Sequence, residues 1–326
     1  MLRKVISKTD IELVYENIKN DIYKTPLEYS EKLSEISGVN VYLKKEYLQL
    51  TSSFKIRGVL NKVKSLSSEE FDKTFVAAST GNHAAAFGLA SEKFDFKAKL
   101  FLPKNVASEK LKSLSKYKLD KVLYGDTSVE TENKATQYAK DIEGVLIHPY
   151  NDVEIIKGQG TIAVEIAEEL PEVNAVLVPI GGGGLISGIA SYFSENEKVK
   201  VIGCQPENAS EMYDSIKYNH IVEPSTLNTI ADAAAGGIEA NAITYDICKK
   251  HLEEVKLVTE EEIKKAVAFL YKHHNIIVEP TSAVPVAALL KEDISKEYKN
   301  VVLVLTGKKI NKQLLKEINE AYGDCY

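Results

Sequence analysis

The stretch NAVLVPIGGGGLISGIASYF, residues 174–193, contains the clearest fold signal of the chain. It joins a short apolar run, NAVLVPI (174–180), to four consecutive glycines and the helical pattern LISGIASYF (185–193). An apolar run that ends in glycines and continues as a longer periodic segment predicts a buried strand, a loop and a helix. Because glycine has no Cβ atom, such a loop lets backbone N–H groups surround a phosphate at the positive end of the helix. The stretch therefore predicts an α/β fold that binds a phosphate monoester or a diphosphate.

Strands and helices alternate in the same way on both sides of this stretch. Before it, the alternating segments are TFVAAS (74–79), a helix over 82–94, AKLFLP (98–103), SEKLKSLSKY (108–117), KVLYG (121–125), VETENKATQYAKDI (129–142) and VLIHPY (145–150). Around and after it, they are GTIAVEIAEEL (160–170), VKVIGCQ (199–205), VVLVLTG (301–307) and KQLLKEINEAY (312–322). The alternation predicts βαβ units with parallel sheets. A chain of 326 residues is expected to form about two domains.

Composition excludes several classes of function. Hydrophobic residues make up 44% and charged residues 27% of the chain, as in ordinary globular proteins. The net charge of −6 is spread along the chain and leaves no basic patch for nucleic acid or for an anionic lipid surface. No apolar run approaches the roughly 18 residues that suggest a membrane-spanning helix. The three cysteines, Cys204, Cys248 and Cys325, lack metal-ligand spacing, which favours a reducing, cytoplasmic compartment.

Ligands of open parallel sheets bind beyond the carboxyl ends of the strands, so the loops that follow the strands are the candidate site. These loops are STGNH (79–83), IGGGGL (180–185), QPENASE (205–211) and TGKK (306–309), with SSFKIRG (52–58) as a further segment. The glycines leave two ligand classes open. Beside a phosphate cradle, the spacing of Gly182, Gly184 and Gly188, with Glu207 after the next strand, also fits the dinucleotide site of an NAD(P)-binding oxidoreductase.

Lys55 favours the first class. It lies between Phe54 and Ile56, near a predicted helix start. A lysine in a partly apolar pocket loses some of its preference for the charged form, and a free amine can form a Schiff base with a carbonyl group. By position alone, however, a lysine is usually a solvated surface group, so this interpretation depends on the motifs that surround Lys55.

With these residues the chain resembles the fold-type II pyridoxal-phosphate enzymes, specifically the serine/threonine dehydratase and serine racemase family. The motifs that carry the resemblance are KTPL (24–27), LKKEYLQLTSSFKIRG (43–58), ASTGNHAAAFG (78–88), HPYND (148–152), GQGT (158–161), PIGGGGLISG (179–188), QPENASEM (205–212), AGGIE (235–239), VEPTSAVPVAAL (278–289) and LTGKKI (305–310). The resemblance implies a tryptophan synthase β-like α/β fold with two parallel-sheet domains that carry helices on both faces. It further implies a large cofactor-binding domain from 1–51 and 147–326, a small domain from 52–146, and a homodimer.

The resemblance also implies roles for individual residues. Lys55 would form the Schiff base with pyridoxal phosphate, and Phe54 would pack against one face of the pyridine ring. The remaining cofactor contacts would come from Asn82 at the ring hydroxyl, Glu279 and Thr306 at the nitrogen end, and Gly181, Gly182, Gly183 and Gly184 at the phosphate. The substrate would contact Ser79, Thr80, Gly81, Asn82, His83 and Tyr150.

The activity that the resemblance implies is β-elimination of L-serine or L-threonine to an α-keto acid and ammonia, with Lys55 as the base for the α-carbon proton. Two related activities stay open. Thr80 lies where racemases of the family carry a second acid/base hydroxyl, whereas Tyr150 is typical of the dehydratases. The glutamine of the family's HAQG motif is replaced in HAAAF (83–87), so the substrate could be another β-hydroxy amino acid such as 3-hydroxyaspartate.

A divalent-cation site is the last expectation from the resemblance. The segment 205–211 overlies the family's cation loop, which would make Gln205, Ala209 and Glu211 the ligands of Mg²⁺ or Ca²⁺. Gln205 replaces an acidic residue of the family. An amide oxygen can still bind these cations, but the loss of a negative charge is expected to weaken the site.

Overall fold

The computed structural model describes residues 6–225, 227–291, 297–323 and 325. Its strands form two sheets, of six and four strands. In spatial order the larger sheet contains β1 (Leu27–Tyr29), β2 (Asn40–Lys44), β10 (Asn300–Val304), β7 (Ala175–Pro179), β8 (Lys200–Pro206) and β9 (Glu254–Val258). The smaller sheet contains β5 (Asp120–Leu123), β4 (Ala98–Leu102), β3 (Phe75–Ala78) and β6 (Val145–Leu146). Pairing is parallel except between β1 and β2, which confirms the α/β fold with parallel sheets.

Helices connect and cover the strands. In chain order they are α1 (Lys8–Ile18), α2 (Glu31–Ser37), α3 (Lys55–Lys64), α4 (Ser68–Phe71), α5 (Asn82–Phe94), α6 (Ser108–Ser113), α7 (Ser128–Asp141), α8 (Val153–Glu169), α9 (Gly184–Phe193), α10 (Glu211–Tyr218), α11 (Ile243–His251), α12 (Glu260–His274), α13 (Pro280–Lys291) and α14 (Lys312–Tyr322). The predicted helices over 82–94 and 312–322 agree with α5 and α14. Within the described ranges, no helix is long and apolar enough to cross a bilayer.

Local signals in the sequence explain where several of these helices begin. Ser7, Thr127 and Thr259 accept a hydrogen bond from the backbone N–H three residues later. The acidic residue at that third position bonds back to the backbone N–H of the capping residue, which satisfies two N–H groups at the start of each helix. The segments SEKLKSLSKY and VLIHPY form shorter elements than predicted, because α6 ends at Ser113 and β6 at Leu146.

Helices α3, α8 and α9 approach one another closely through glycines. A Cβ atom on Gly58 of α3 would lie 2.4 Å from Gln159 Nε2, and one on Gly158 of α8 would lie 2.6 Å from the Gly58 Cα. On the other side of α8, a Cβ on Gly188 of α9 would lie 2.5 Å from the backbone nitrogen of Gly160. Such contacts leave no room for side chains, so this helix stack holds the start of α3 in a defined position.

The two sheets are formed by different parts of the chain. The four strands of the smaller sheet lie within residues 75–146, and those of the larger sheet lie at 27–44 and 175–304. Helix α3 belongs to the proposed small domain (52–146) by sequence, yet it packs against α8, which belongs to the proposed large domain (1–51 and 147–326). The boundaries at 52 and 147 stay a prediction.

Candidate active site

Hydrogen bonds join the segments that follow β3 and β10 to each other and to the start of α3, so that several of the predicted site residues lie close together. Phe54 and Lys55 are joined to the end of β10, because the Phe54 backbone N–H donates to the Thr306 carbonyl over 3.1 Å. Lys309, three residues further along, donates from Nζ to the carbonyl of Gly81 over 3.4 Å. These contacts bring the segments 52–58, 79–83 and 306–309 together, as predicted.

Lys55 is the first residue of α3, and its side chain is partly buried. Its Nζ donates to the carbonyl of Pro149 over 2.9 Å and lies 5.2 Å from the centroid of the Phe54 ring. Burial lowers the pKa of the amine to about 8, against the opposing effect of the carboxylates of Glu279 and Glu132. A larger fraction of this amine is therefore neutral, and nucleophilic, than for an ordinary lysine.

Behind Lys55, Arg57 forms the centre of a buried ion network. Its guanidinium donates to both carboxylate oxygens of Glu46 and to both of Glu165, over 2.7 to 2.9 Å. Lys44 Nζ pairs with Glu165 over 2.6 Å, and the side chains of all four residues are fully buried. The network ties α3 to β2 and α8 and thereby supports the position of Lys55.

Asn82 and Glu279 are two predicted site residues that contact each other directly. The Asn82 Nδ2 donates to both oxygens of Glu279, over 3.1 and 2.9 Å, while its Oδ1 is buried and has no hydrogen-bond partner among the residues that the structure describes. Burial raises the pKa of the Glu279 carboxyl to about 7, and the bond from Asn82 opposes that shift. One end of the Asn82 amide is therefore available to a polar group of a ligand.

Thr306 follows β10 and is buried. Its hydroxyl lies 3.0 Å from that of Ser282, which itself accepts from the Gly307 backbone N–H over 2.7 Å. Gly307 is needed because a Cβ there would lie 2.5 Å from Oε1 of Glu279. The region predicted to face the ring nitrogen of the cofactor thus contains the neutral hydroxyl of Thr306 and, close to it, the buried carboxyl of Glu279.

The glycine loop lies between β7 and α9, as predicted, with Gly183 at φ +86°, a left-handed conformation that favours glycine. A Cβ on Gly182 would lie 2.4 Å from the ring of Tyr150, and one on Gly181 would lie 3.0 Å from the Ala233 carbonyl. The loop opens directly into α9, whose first N–H groups lack helical partners. This cradle, the unpaired Asn82 oxygen and the depressed pKa of Lys55 together fit pyridoxal phosphate.

The loop 79–83 places its residues at different depths. Ser79 Oγ accepts from the Gly81 backbone N–H over 3.2 Å, and Thr80 is half-buried beside them. His83 faces the interior: its Nε2 lies 2.8 Å from the Ile147 carbonyl, and burial together with the charge of Lys55 lowers its pKa to about 3. The imidazole is therefore neutral, and its contact with the Ile147 carbonyl supports the loop from the protein interior.

A polar cluster that the sequence analysis missed lines the other wall, around Tyr150. The Tyr150 hydroxyl accepts from the Glu239 backbone N–H over 2.9 Å, and the Glu239 carboxylate pairs with His148 over 2.8 Å and with the Asn151 amide over 2.9 Å. Glu132 on α7 lies near enough to influence Lys55, and burial raises its own pKa. The motifs HPYND and AGGIE both contain members of this cluster, but motif matching assigned no role to Glu239.

The predicted cation ligands are arranged differently from a metal site. The Gln205 Nε2 donates to the Ala209 carbonyl over 3.1 Å, and its Oε1 accepts from the Tyr213 backbone N–H over 2.9 Å. A Glu211 oxygen accepts from the Ser225 backbone N–H over 2.9 Å. Divalent cations bind oxygen lone pairs, whereas an amide N–H group faces the Ala209 oxygen. The residues present do not fit Mg²⁺ or Ca²⁺, and the expectation of such a site is not supported.

The dinucleotide alternative also loses its basis in the glycine spacing. Gly188 lies at the contact between α9 and α8, so its lack of a side chain is explained by packing against Gly160. Residues 18–307 match the family model described as pyridoxal-phosphate dependent enzyme. The chain belongs to this family. Membership of this family supports pyridoxal phosphate as the cofactor, and the NAD(P)-binding oxidoreductase alternative is abandoned.

Relatives within this pyridoxal-phosphate family support the same conclusion. The chain is 38% identical over 315 residues to the L-threonine ammonia-lyase of Thermotoga maritima, covering 96% of this chain and 78% of that one. Among solved structures it is similar to the processed form of threonine deaminase isoform 2 from Solanum lycopersicum (TM-score 0.89, 34% identity, covering 97% of this chain and 87% of that one). It is also similar to the serine racemase of Dictyostelium discoideum (TM-score 0.87, 33% identity, covering 94% and 100%). These similarities confirm the predicted fold-type II architecture.

Proposed function

We propose that this protein is a pyridoxal-phosphate-dependent ammonia-lyase that converts L-threonine or L-serine to an α-keto acid and ammonia. The observation that carries the proposal is the Lys55 amine, whose pKa of about 8 and position beside Phe54 suit a cofactor-binding lysine. Support comes from the relatives named threonine ammonia-lyase and threonine deaminase, which match nearly the whole chain.

The cofactor would be held by groups on both walls of the cleft. The glycine loop and the N-terminus of α9 would bind its phosphate, Phe54 would pack against its ring, and Asn82, Glu279 and Thr306 would contact the ring's polar edge. When bound, pyridoxal phosphate acts as an electron sink that acidifies the α-carbon proton of an amino acid and so permits loss of a β-hydroxyl.

Lys55 would move the proton. Its amine would serve as the base for the α-carbon proton, a role that requires the neutral form. Burial supplies that form by lowering the pKa to about 8. Thr306 offers a hydroxyl that forms a hydrogen bond with Ser282 and carries no charge. Next to the ring nitrogen of a bound cofactor, this neutral hydroxyl would stabilise a positive charge less than an aspartate would, which would favour elimination over transamination.

The loop 79–83 would bind the substrate carboxylate through Ser79, Thr80, Gly81 and the backbone N–H groups at the start of α5. Tyr150 would form the wall near the substrate side chain. The hydrogen bond from the Glu239 N–H to its hydroxyl would hold the ring in that position. His83 would hold the loop in place rather than exchange protons, since its pKa of about 3 keeps it neutral.

The test is formation of keto acid from L-threonine and from L-serine by the purified holoenzyme, coupled to NADH consumption. The proposal predicts turnover of at least one of them. Lys55→Ala should abolish turnover, and Lys32→Ala, a change on the exposed face of α2, should leave it unchanged. A holoenzyme with bound cofactor that acts on neither amino acid would contradict the substrate assignment, and a panel of β-hydroxy amino acids that includes 3-hydroxyaspartate would then identify the substrate.

Amino-acid racemization is a second candidate, favoured by the similarity to serine racemase and by the hydroxyl of Thr80 in the substrate loop. Racemization needs a proton donor on the face of the α-carbon opposite Lys55. Chiral chromatography of serine after incubation would detect the D-isomer. If Thr80 is that donor, Thr80→Ala should remove D-serine formation and leave keto-acid formation nearly unchanged.

Assembly and location are further parts of the proposal. The resemblance to the family supports a homodimer, and the cysteine pattern supports a cytoplasmic location. Exposed apolar side chains such as those of Leu13, Tyr23 and Tyr29 are available to an interface. Sedimentation equilibrium of the holoenzyme should give twice the chain mass of 36.1 kDa, and a monomer mass would contradict the dimer.

A further inference from the structure

Gln205 joins three segments behind the glycine loop. It is fully buried at the end of β8, where its Nε2 donates to the Ala209 carbonyl and its Oε1 accepts from the Tyr213 backbone N–H. Ala209 belongs to the short 3-10 turn Glu207–Ala209, and Tyr213 lies in the first turn of α10. Only one orientation of the amide satisfies both partners, because a carbonyl can only accept and a backbone N–H can only donate.

This arrangement uses the oxygen atoms that a cation would need. The Ala209 carbonyl faces an amide N–H, the Gln205 oxygen faces the Tyr213 N–H, and a Glu211 oxygen faces the Ser225 N–H. Within the part of the chain that the structure describes, no group of three or more His, Cys, Asp or Glu side chains could hold a metal ion. A glutamine also supplies no charge to offset the cost of dehydrating a divalent cation.

The loop held by Gln205 contacts the phosphate cradle. Met212, next to Tyr213 in α10, is fully buried, and its Cε lies 2.8 Å from the position of a Cβ on Gly183. Thr244 supports the cradle from the same side, because its hydroxyl donates to the Gly182 carbonyl over 2.8 Å. A shift of the first turn of α10 would therefore be transmitted to Gly183 through Met212.

We propose that the side-chain amide of Gln205 takes the place of a divalent cation in this enzyme and acts as a positioning residue for the phosphate cradle. The amide joins the end of β8, the 3-10 turn and α10 with two permanent hydrogen bonds, which a bound ion would otherwise do by coordination. Cofactor binding and thermal stability are then independent of Mg²⁺, Mn²⁺ and Ca²⁺. The inference depends on membership of the family and not on which amino acid is the substrate.

The test measures pyridoxal phosphate affinity by titration of the apoprotein, and the melting temperature of the apoprotein, in EDTA and in each of the three cations. For the unmodified protein, the dissociation constant should agree within twofold in all four conditions. The melting temperature should also be the same in all four. Gln205→Glu replaces the N–H donor by an anionic oxygen that faces the Ala209 carbonyl. In EDTA it should weaken cofactor binding about tenfold, the cost of leaving buried polar groups unpaired.

Addition of a cation should restore most of this loss in Gln205→Glu, because the new carboxylate, the Ala209 carbonyl and Glu211 then form an oxygen site. Gln205→Leu is the matched control: it removes both hydrogen bonds, creates no ligand, and should be weakened equally with and without cations. Loss of affinity or of melting temperature when the unmodified protein is chelated would overturn the proposal. So would a Gln205→Glu protein whose affinity does not respond to cations. If neither variant folds, the measurement on the unmodified protein still decides.

Discussion

Replacing Arg57 by methionine is expected to lower the free energy of unfolding by about 3–5 kcal/mol, the usual cost of removing one partner from a buried ion pair. The structure explains this magnitude. The network of Lys44, Arg57, Glu46 and Glu165 is electrically balanced, with two basic and two acidic side chains that are all fully buried. Without Arg57, Glu165 retains Lys44, whereas the partner that Glu46 retains among the described residues is the hydroxyl of Thr25, a neutral donor. One buried carboxylate is then left without a counter-charge.

Urea unfolding followed by far-UV circular dichroism would measure the loss in the apoprotein, where no cofactor contributes to stability. The double variant Arg57→Met/Glu46→Gln is the control, because it removes the charge that Arg57→Met leaves unpaired. It should be more stable than the single variant although it lacks one more charged group. A loss below about 1 kcal/mol, the value of an exposed pair, would refute the reasoning, as would a double variant less stable than the single one.

Three other expectations concern the cleft. Gly182→Ala should weaken pyridoxal phosphate binding at least tenfold in a titration of the apoprotein, because the added methyl would lie 2.4 Å from the Tyr150 ring; unchanged affinity would contradict the close fit of the cradle. The rate at which apoprotein reacts with pyridoxal phosphate should rise with pH and level off just above the Lys55 pKa of about 8; a rise that continues to the ordinary lysine value of 10.5 would show an exposed amine. The Glu279 pKa is raised from 4.5 to about 7, so the folded apoprotein binds a proton in that window that the unfolded chain does not, and stability should fall as pH rises through it. Glu279→Gln should remove that part of the slope in urea melts at several pH values, and an unchanged slope would mean that another group titrates.

Much of the fold follows from local patterns in the sequence. The helix predicted from 82 to about 94 agrees with α5, because the small apolar positions and the start after Gly81 are both visible in the sequence. Helix α14 is similarly evident from its apolar stripe. By contrast, the strand predicted over VLIHPY ends at Leu146, since the chain then turns so that His148 and Tyr150 can meet Glu239. Contacts across 80 or more positions of the chain decide such a turn, and no local pattern contains them.

For the candidate site, too, some features could be predicted from the sequence and others depend on contacts between distant positions of the chain. The resemblance assigned site roles to Lys55, Asn82 and the glycine loop, and these roles stay predictions. The resemblance did not reveal the ion network around Arg57. In the sequence, Lys44, Glu46 and Arg57 look like ordinary charged residues that flank an apolar segment. Burial of those charges depends on Glu165, which is 108 positions from Arg57 and contributes from α8. The prediction of a cation site is not supported for a related reason. A glutamine can serve as a metal ligand or as a hydrogen-bond donor, and in this fold Gln205 donates to the Ala209 carbonyl.

The most direct test of the account is the identity of the lysine that carries the cofactor. The holoenzyme would be reduced with borohydride, digested, and analysed by mass spectrometry for the peptide that bears the pyridoxyl group. The account predicts a single labelled peptide that contains Lys55, and loss of both the label and the visible absorbance band in Lys55→Ala. A label on any other lysine, or a Lys55→Ala protein that still gains the label in full, would contradict it.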